Sequence, residues 1–143
     1  MLDKTYPIKS NRAKTAFLFE SVGPKGTILK FILVENLEGR FNLAFGDVID
    51  NKLTDSVTSN NQDIVTILNT VAICVYEFVT ENPGALIEIT PYDEKRKRLY
   101  NTIFQRKCRE IEVHFEIRAV VGEIIQKYDP AKIYDYFLLK HKI

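Results

Sequence analysis

The residues best suited to chemistry in this chain are the cations of "TPYDEKRKRLYNTIFQRKCREI", Thr90 to Ile111. Lys95, Arg96, Lys97, Arg98, Arg106, Lys107 and Arg109 crowd into its last nineteen positions. Guanidinium forks and ammonium groups recognise carboxylates and phosphates, so the segment is either an anion-holding device or the wetted side of a helix. Placed at about 100° per residue, Leu99, Tyr100, Ile103, Phe104 and Ile111 fall within an arc of about 140° and form the expected core face. Arg98, Asn101, Gln105, Arg109 and Glu112 lie opposite, and hydration alone accounts for them. Lys95 and Arg106 sit at the border, where long stems cover apolar surface. Arg96 and Lys107 fall inside the apolar arc. Arg96 either reaches past the sheet edge to water or is held by a carboxylate such as Glu88 or Glu116.

A phosphate site at the start of this helix is disfavoured, because Asp93 and Glu94 already occupy its positive end. No Gly-rich phosphate loop precedes it, and "GPKG" (Gly23–Gly26) matches no such fingerprint.

Catalytic combinations are sparse. The two histidines are His114, at the end of the basic helix, and His141, in a C-terminal "KHKI" expected to fray. Cys108 and His114 are six residues apart, which on a helix separates them by about 9 Å along the axis. The two cysteines, Cys74 and Cys108, are too few and too distant for a disulfide framework or a zinc site, and both read as reduced core residues. No G-x-S-x-G, H-E-x-x-H or paired-carboxylate motif occurs, so the reading leans away from an enzyme, with no metal or cofactor.

Tyrosines are the other concentration. Tyr128, Tyr134 and Tyr136 gather with Phe137 near a final hairpin, Tyr134 and Tyr136 on one face and Phe137 on the other. Such rings stack on bases in RNA-binding sheets, yet cross-strand packing or a dimer contact uses them equally well. The candidate ligand-binding set is therefore Arg96, Arg98, Tyr100, Lys107, Tyr134 and Tyr136.

These residues need positioning elements. Lys14–Val22, Thr27–Glu35 and Phe41–Ile49 read as strands joined by the turns "GPKG" and "NLEGR", in an antiparallel meander. Asp50–Gln62 is a polar loop. From Asp63 apolar residues recur at helical spacing until "NPG" (Asn82–Gly84) ends the run. Ala85–Thr90 is a short strand. Thr90 then caps a second helix, with Pro91 at its first position and Asp93 as the capping-box acid, running to about His114. Phe115–Val121, Glu123–Tyr128, the turn "DPAK" and Ile133–Lys140 follow. The expected class is α+β: a two-layer, largely antiparallel sheet with two packed helices, in the order βββ-α-β-α-ββ, forming one domain over residues 1–143.

Bulk composition fits a globular protein, with 45% hydrophobic and 27% charged residues among 143. Twenty basic and nineteen acidic residues leave a net charge of +1, so attraction to nucleic acid or lipid has to be local. No signal-like start or span-length apolar run is evident, and a cytoplasmic protein without membrane contact is expected.

"KRKRLYNTIFQRKCREIEVHFEI" followed by "YDYFLLKH" is similar to a family of short, functionally uncharacterised proteins found mainly in Bacteroidota. Their hallmark is R-x-R-L-Y opening a helix after a strand, matched here by Arg96, Arg98, Leu99 and Tyr100. The resemblance spans nearly the whole chain and implies no activity, cofactor or catalytic residue. Two functions from different classes follow from the residues. One is a non-enzymatic protein-interaction module that pairs with itself or a protein partner through an edge strand or the tyrosine-rich hairpin. The other, less favoured, is a nucleic-acid-binding module, as in a small regulatory or toxin–antitoxin pair, using Arg96, Arg98, Arg106, Lys107 and Arg109.

Overall fold

The structure, a computed structural model, describes residues 4–54 and 62–143. Strand pairing is mixed but mostly antiparallel, and two helices complete an α+β fold. The chain divides into two compact units, Met1–Glu35 with Ala44–Asn82 and Asn36–Leu43 with Pro83–Ile143.

In the first unit a two-residue strand, β1 (Lys9–Ser10), pairs with β2 (Ala16–Gly23), which pairs antiparallel with β3 (Gly26–Leu37). Pro24 and Lys25 make the turn between them, with Gly26 at φ 86° supplying the left-handed step. β3 and β4 (Arg40–Ile49) form a hairpin through Glu38 and Gly39, both at positive φ, the mirror-type turn that suits strand twist. A second such turn, Asp50–Asn51, joins β4 to β5 (Lys52–Thr54). Part of the expected polar loop is therefore strand, and residues 55–61 lie outside the described residues.

Helix α1 (Ile64–Glu81) begins at Asp63 and stops at Asn82, as its periodicity predicts. Its buried side carries Ile67, Thr70, Cys74, Val75, Phe78 and Val79. With 18 residues and a mean hydropathy of 1.5, α1 is long and apolar enough to cross a membrane by length and composition, contrary to the expectation that no run approaches that length. Cys74, Phe78 and Val79 are fully buried, and a third of the helix is buried in all.

In the second unit the first residues of β4 run parallel to β6 (Leu86–Ile89). Beyond β6 come β9 (Tyr136–His141), β7 (Phe115–Val121) and β8 (Ile124–Lys127), all antiparallel to their neighbours. Three strands thus follow α2 (Glu94–Glu112), not the two of the expected order. β1 and β5 were too short to show a period. The parallel step arises because α1 intervenes between β4 and β6, giving the chain room to cross over.

α2 starts three residues later than expected. Asp93, not Thr90, is the cap: its Oδ1 accepts the Arg96 N–H at 2.8 Å, and Pro91 stays outside the helix.

Candidate functional site

The second unit holds every residue of the predicted ligand-binding set, so the site is built outward from α2. Its buried side is rotated about 50° from the predicted arc. Asn101 is only 2% exposed and Phe104 4%, whereas Leu99, expected at the core, is 39% exposed. Ile103 is half-buried, as are Lys97, Tyr100, Cys108 and Ile111. The physical cause is Asn101. Its Oδ1 accepts the Tyr134 N–H and its Nδ2 donates to the Tyr134 C=O, each at 2.9 Å. The amide thereby completes a backbone segment as a neighbouring strand would, and its burial is satisfied. Phe104 stacks on Phe137 with ring centroids 4.0 Å apart, and Tyr128 lies 6.0 Å from Phe104.

Tyr134 is consequently part of this core, 1% exposed, with its hydroxyl accepting the Asp129 N–H at 3.1 Å. It precedes β9 and meets Phe137 edge-on at 6.3 Å, so the two share a side and the predicted opposition is reversed. Tyr136 is half-buried in β9, paired with Val120. Tyr128 is buried too, and its hydroxyl has no hydrogen-bond partner among the described residues. Burial pushes its phenol up to about 12.

Among the predicted cations, Arg96 is held by Asp93, Nη1 to Oδ2 at 2.7 Å, and lies over the Tyr92 ring at 5.9 Å. Neither suggested partner takes that place. Glu88 faces Arg40 at 2.9 Å and accepts from the Thr90 hydroxyl, and Glu116 pairs with Arg118. Lys107, expected within the apolar arc, is exposed and pairs with Glu110 at 3.6 Å. Lys97 reaches Asp135 at 2.8 Å, and Asp135 also accepts the Gly122 N–H. The lysine's hydrogen bond, with that N–H, draws the carboxyl below its ordinary range, and the same bond raises the lysine.

Arg98 is exposed, and with Lys95, Arg106 and Arg109 it lines the outward side of α2. The predicted set therefore does not converge: Tyr134 is in the core, Arg96 is tied to the helix start, and Arg98 and Lys107 point to solvent.

The opposite face of the sheet carries a shallow groove of about 350 Å³, lined by Leu86, Glu116, Arg118, Ile125, Leu138 and Lys140. It ends at β8, the outermost strand, where Ile124 is 64% and Ile125 54% exposed. The Tyr128 N–H donates to the Ile117 C=O at 3.2 Å. By antiparallel alternation Ile124 and Gln126 turn their backbone groups toward β7, and Ile125 and Lys127 turn theirs outward. His141, expected to fray, is instead pinned in β9: Nδ1 accepts the Gly84 N–H at 3.1 Å and its own N–H donates to Ala85.

Sequence reasoning missed a polar cluster in the first unit. Lys30 and Asp47, 4% and 3% exposed, form an ion pair at 2.5 Å. Beside α1, Asp63 Oδ2 accepts the hydroxyls of Tyr6 and Ser21, both at 2.6 Å. The signal was there: Lys30 is the one charge inside "TILKFILV", and a lone cation in an apolar strand needs a buried partner. Cys74 is buried and its thiol pushed up to about 12, chiefly by that burial, which leaves it unreactive. Among the described residues no group of three His, Cys, Asp or Glu side chains is placed to hold a metal ion.

An α+β fold presenting an open sheet edge and a charged helix, with no assembled catalytic group among its described residues, defines a small domain of uncharacterised role. The chain belongs to a family of unknown function, DUF6934, whose model it matches over residues 2–142. No curated protein and no solved structure shows significant similarity to it.

Proposed function

We propose that this protein is a non-enzymatic, self-associating interaction module in which β8 pairs antiparallel with β8 of a second copy. The observation that carries the reading is the self-complementarity of "EIIQK", Glu123–Lys127. Centred on Ile125, antiparallel pairing sets Ile125 opposite Ile125, with Glu123, in the turn before β8, brought to the end of the partner strand where Lys127 lies. Ile125 and Lys127 are also the residues whose N–H and C=O groups face outward. An open edge with exposed isoleucines is a template for strand addition unless something blocks it, and a two-fold pairing closes it after two copies.

The contact is small, so a dissociation constant in about the micromolar range is expected. Sedimentation should show a monomer–dimer equilibrium that Ile125→Lys shifts to monomer with an unchanged circular-dichroism spectrum. A wild-type chain that stays monomeric at millimolar concentration rules the pairing out. We also propose that residues 1–143 fold as one two-layer domain, a reading supported by β3 and β4, each of which passes from one unit to the other. On the same footing, Arg96, Arg98, Leu99 and Tyr100 are read as the family's helix-opening signature.

A further inference from the structure

We propose that the outward face of α2 docks double-stranded nucleic acid through its phosphates, using Lys95, Arg98, Arg106 and Arg109. These four are spaced 3, 8 and 3 residues apart and fall within an arc of about 80°, opposite the face buried by Asn101 and Phe104. With Thr102 between them they form a straight stripe about 21 Å long. No acid lies within the arc: Glu94 and Glu112 flank it on one side and Glu110 on the other.

Charge on α2 is sorted, not mixed. Arg96, Lys97 and Lys107 each have a carboxylate partner, Asp93, Asp135 and Glu110 respectively. The four stripe residues have no ion pair or hydrogen bond from their side chains among the described residues. Acids stand at i,i+3 or i,i+4 to three of them, Glu94 to Arg98, Glu110 to Arg106 and Glu112 to Arg109, yet none of these pairs closes. Four like charges along one line instead repel one another, a cost that a polyanion would remove.

The geometry favours a duplex. The pairs Lys95/Arg98 and Arg106/Arg109 are centred about 16 Å apart along the axis, suited to the two phosphate ridges beside a groove about 12 Å wide. Thr102, whose hydroxyl is turned back to the Arg98 C=O, leaves the centre of the stripe low and uncharged. No aromatic ring lies on the stripe, so the stacking platform that single strands require is missing from it. Contacts to phosphates alone position a protein without reading sequence, so binding should be sequence-independent. The whole stripe lies on one chain, and its test does not depend on self-association.

Fluorescence anisotropy with labelled DNA and RNA duplexes of about two helical turns tests it. Binding is expected at low salt with a slope of log K against log salt of about −3.6 for DNA, four phosphates at about −0.9 each. Arg98→Gln/Arg106→Gln should reduce the slope to about −1.8 and weaken binding by more than tenfold at low salt. Lys132→Gln, at an exposed cation of the same unit outside α2, should leave both unchanged. Absence of duplex binding at low salt overturns the proposal. So does a slope that the stripe variant does not alter. Tighter binding to a single strand, or stripe-dependent binding to anionic vesicles without duplex binding, assigns the stripe to another polyanion and equally overturns it.

Discussion

Tyr128 illustrates how a single buried atom can work against its own unit. Its ring contributes to the packing among Phe104, Tyr134 and Phe137, but its hydroxyl is buried without a partner among the described residues. An unsatisfied buried hydroxyl costs about 1–3 kcal/mol, and removing it keeps the ring. Tyr128→Phe is therefore expected to stabilise the protein by about 1 kcal/mol, read as a rise in urea midpoint at constant m-value. A loss of stability would show that the hydroxyl is satisfied in solution. Arg96 teaches a related lesson at the same scale. Its place near the apolar side of the helix was legible in the sequence, and its guanidinium is indeed largely shielded. Its partner was not legible, because the nearest carboxylate is three residues away in the helix cap, whereas Glu88 and Glu116 are engaged by Arg40 and Arg118.

At the scale of elements, α2 shows where reading by period succeeds and where it slips. Its existence, its approximate length and its packing through one side follow from Tyr100, Phe104 and Ile111. Its rotation does not, because a wheel counts Asn101 as a polar residue to be turned outward. The side chain is buried because strand backbone satisfies both ends of its amide, a fact that lives in tertiary structure alone. Asn101→Leu should strand the Tyr134 N–H and C=O together, costing about 2–6 kcal/mol at about 1–3 kcal/mol for each orphaned group. Asn101→Asp should cost more at neutral pH, since it keeps the acceptor but buries a carboxylate oxygen against the Tyr134 and Lys97 carbonyls. Denaturant unfolding of the pair checks the order, and equal losses would mean that packing, not hydrogen bonding, fixes the helix. The short strands β1 and β5 were illegible for a different reason: two and three residues are too few to display alternation.

For the molecule as a whole, the decisive test is whether the two units melt together. Strands β3 and β4 belong in part to each unit, so breaking either unit interrupts strands that the other needs. Lys30→Met removes the cation of the buried Lys30–Asp47 ion pair and should cost about 3–5 kcal/mol. Amide exchange then serves as the readout: protection of β9, in the second unit, is expected to fall along with that of β2, in the first. Unchanged β9 protection would mean that the units open independently. The α+β class, both helices and the strand between them could be read from hydrophobic period, but the division into units could not, since no Pro- or Gly-rich linker marks it.

The position of β9 bears on how the chain assembles as it is made. β6 and β7 are synthesised before it, yet they touch only through it, because Tyr136–His141 lies between them. Until those six residues leave the ribosome, β6 has no antiparallel neighbour and β7 can form only its hairpin with β8. α2 meanwhile displays Phe104 without Phe137 to receive it. Chaperones that recognise nascent apolar surface would thus meet this half of the protein in an unfinished condition until β9 emerges, and its closure would come as one event.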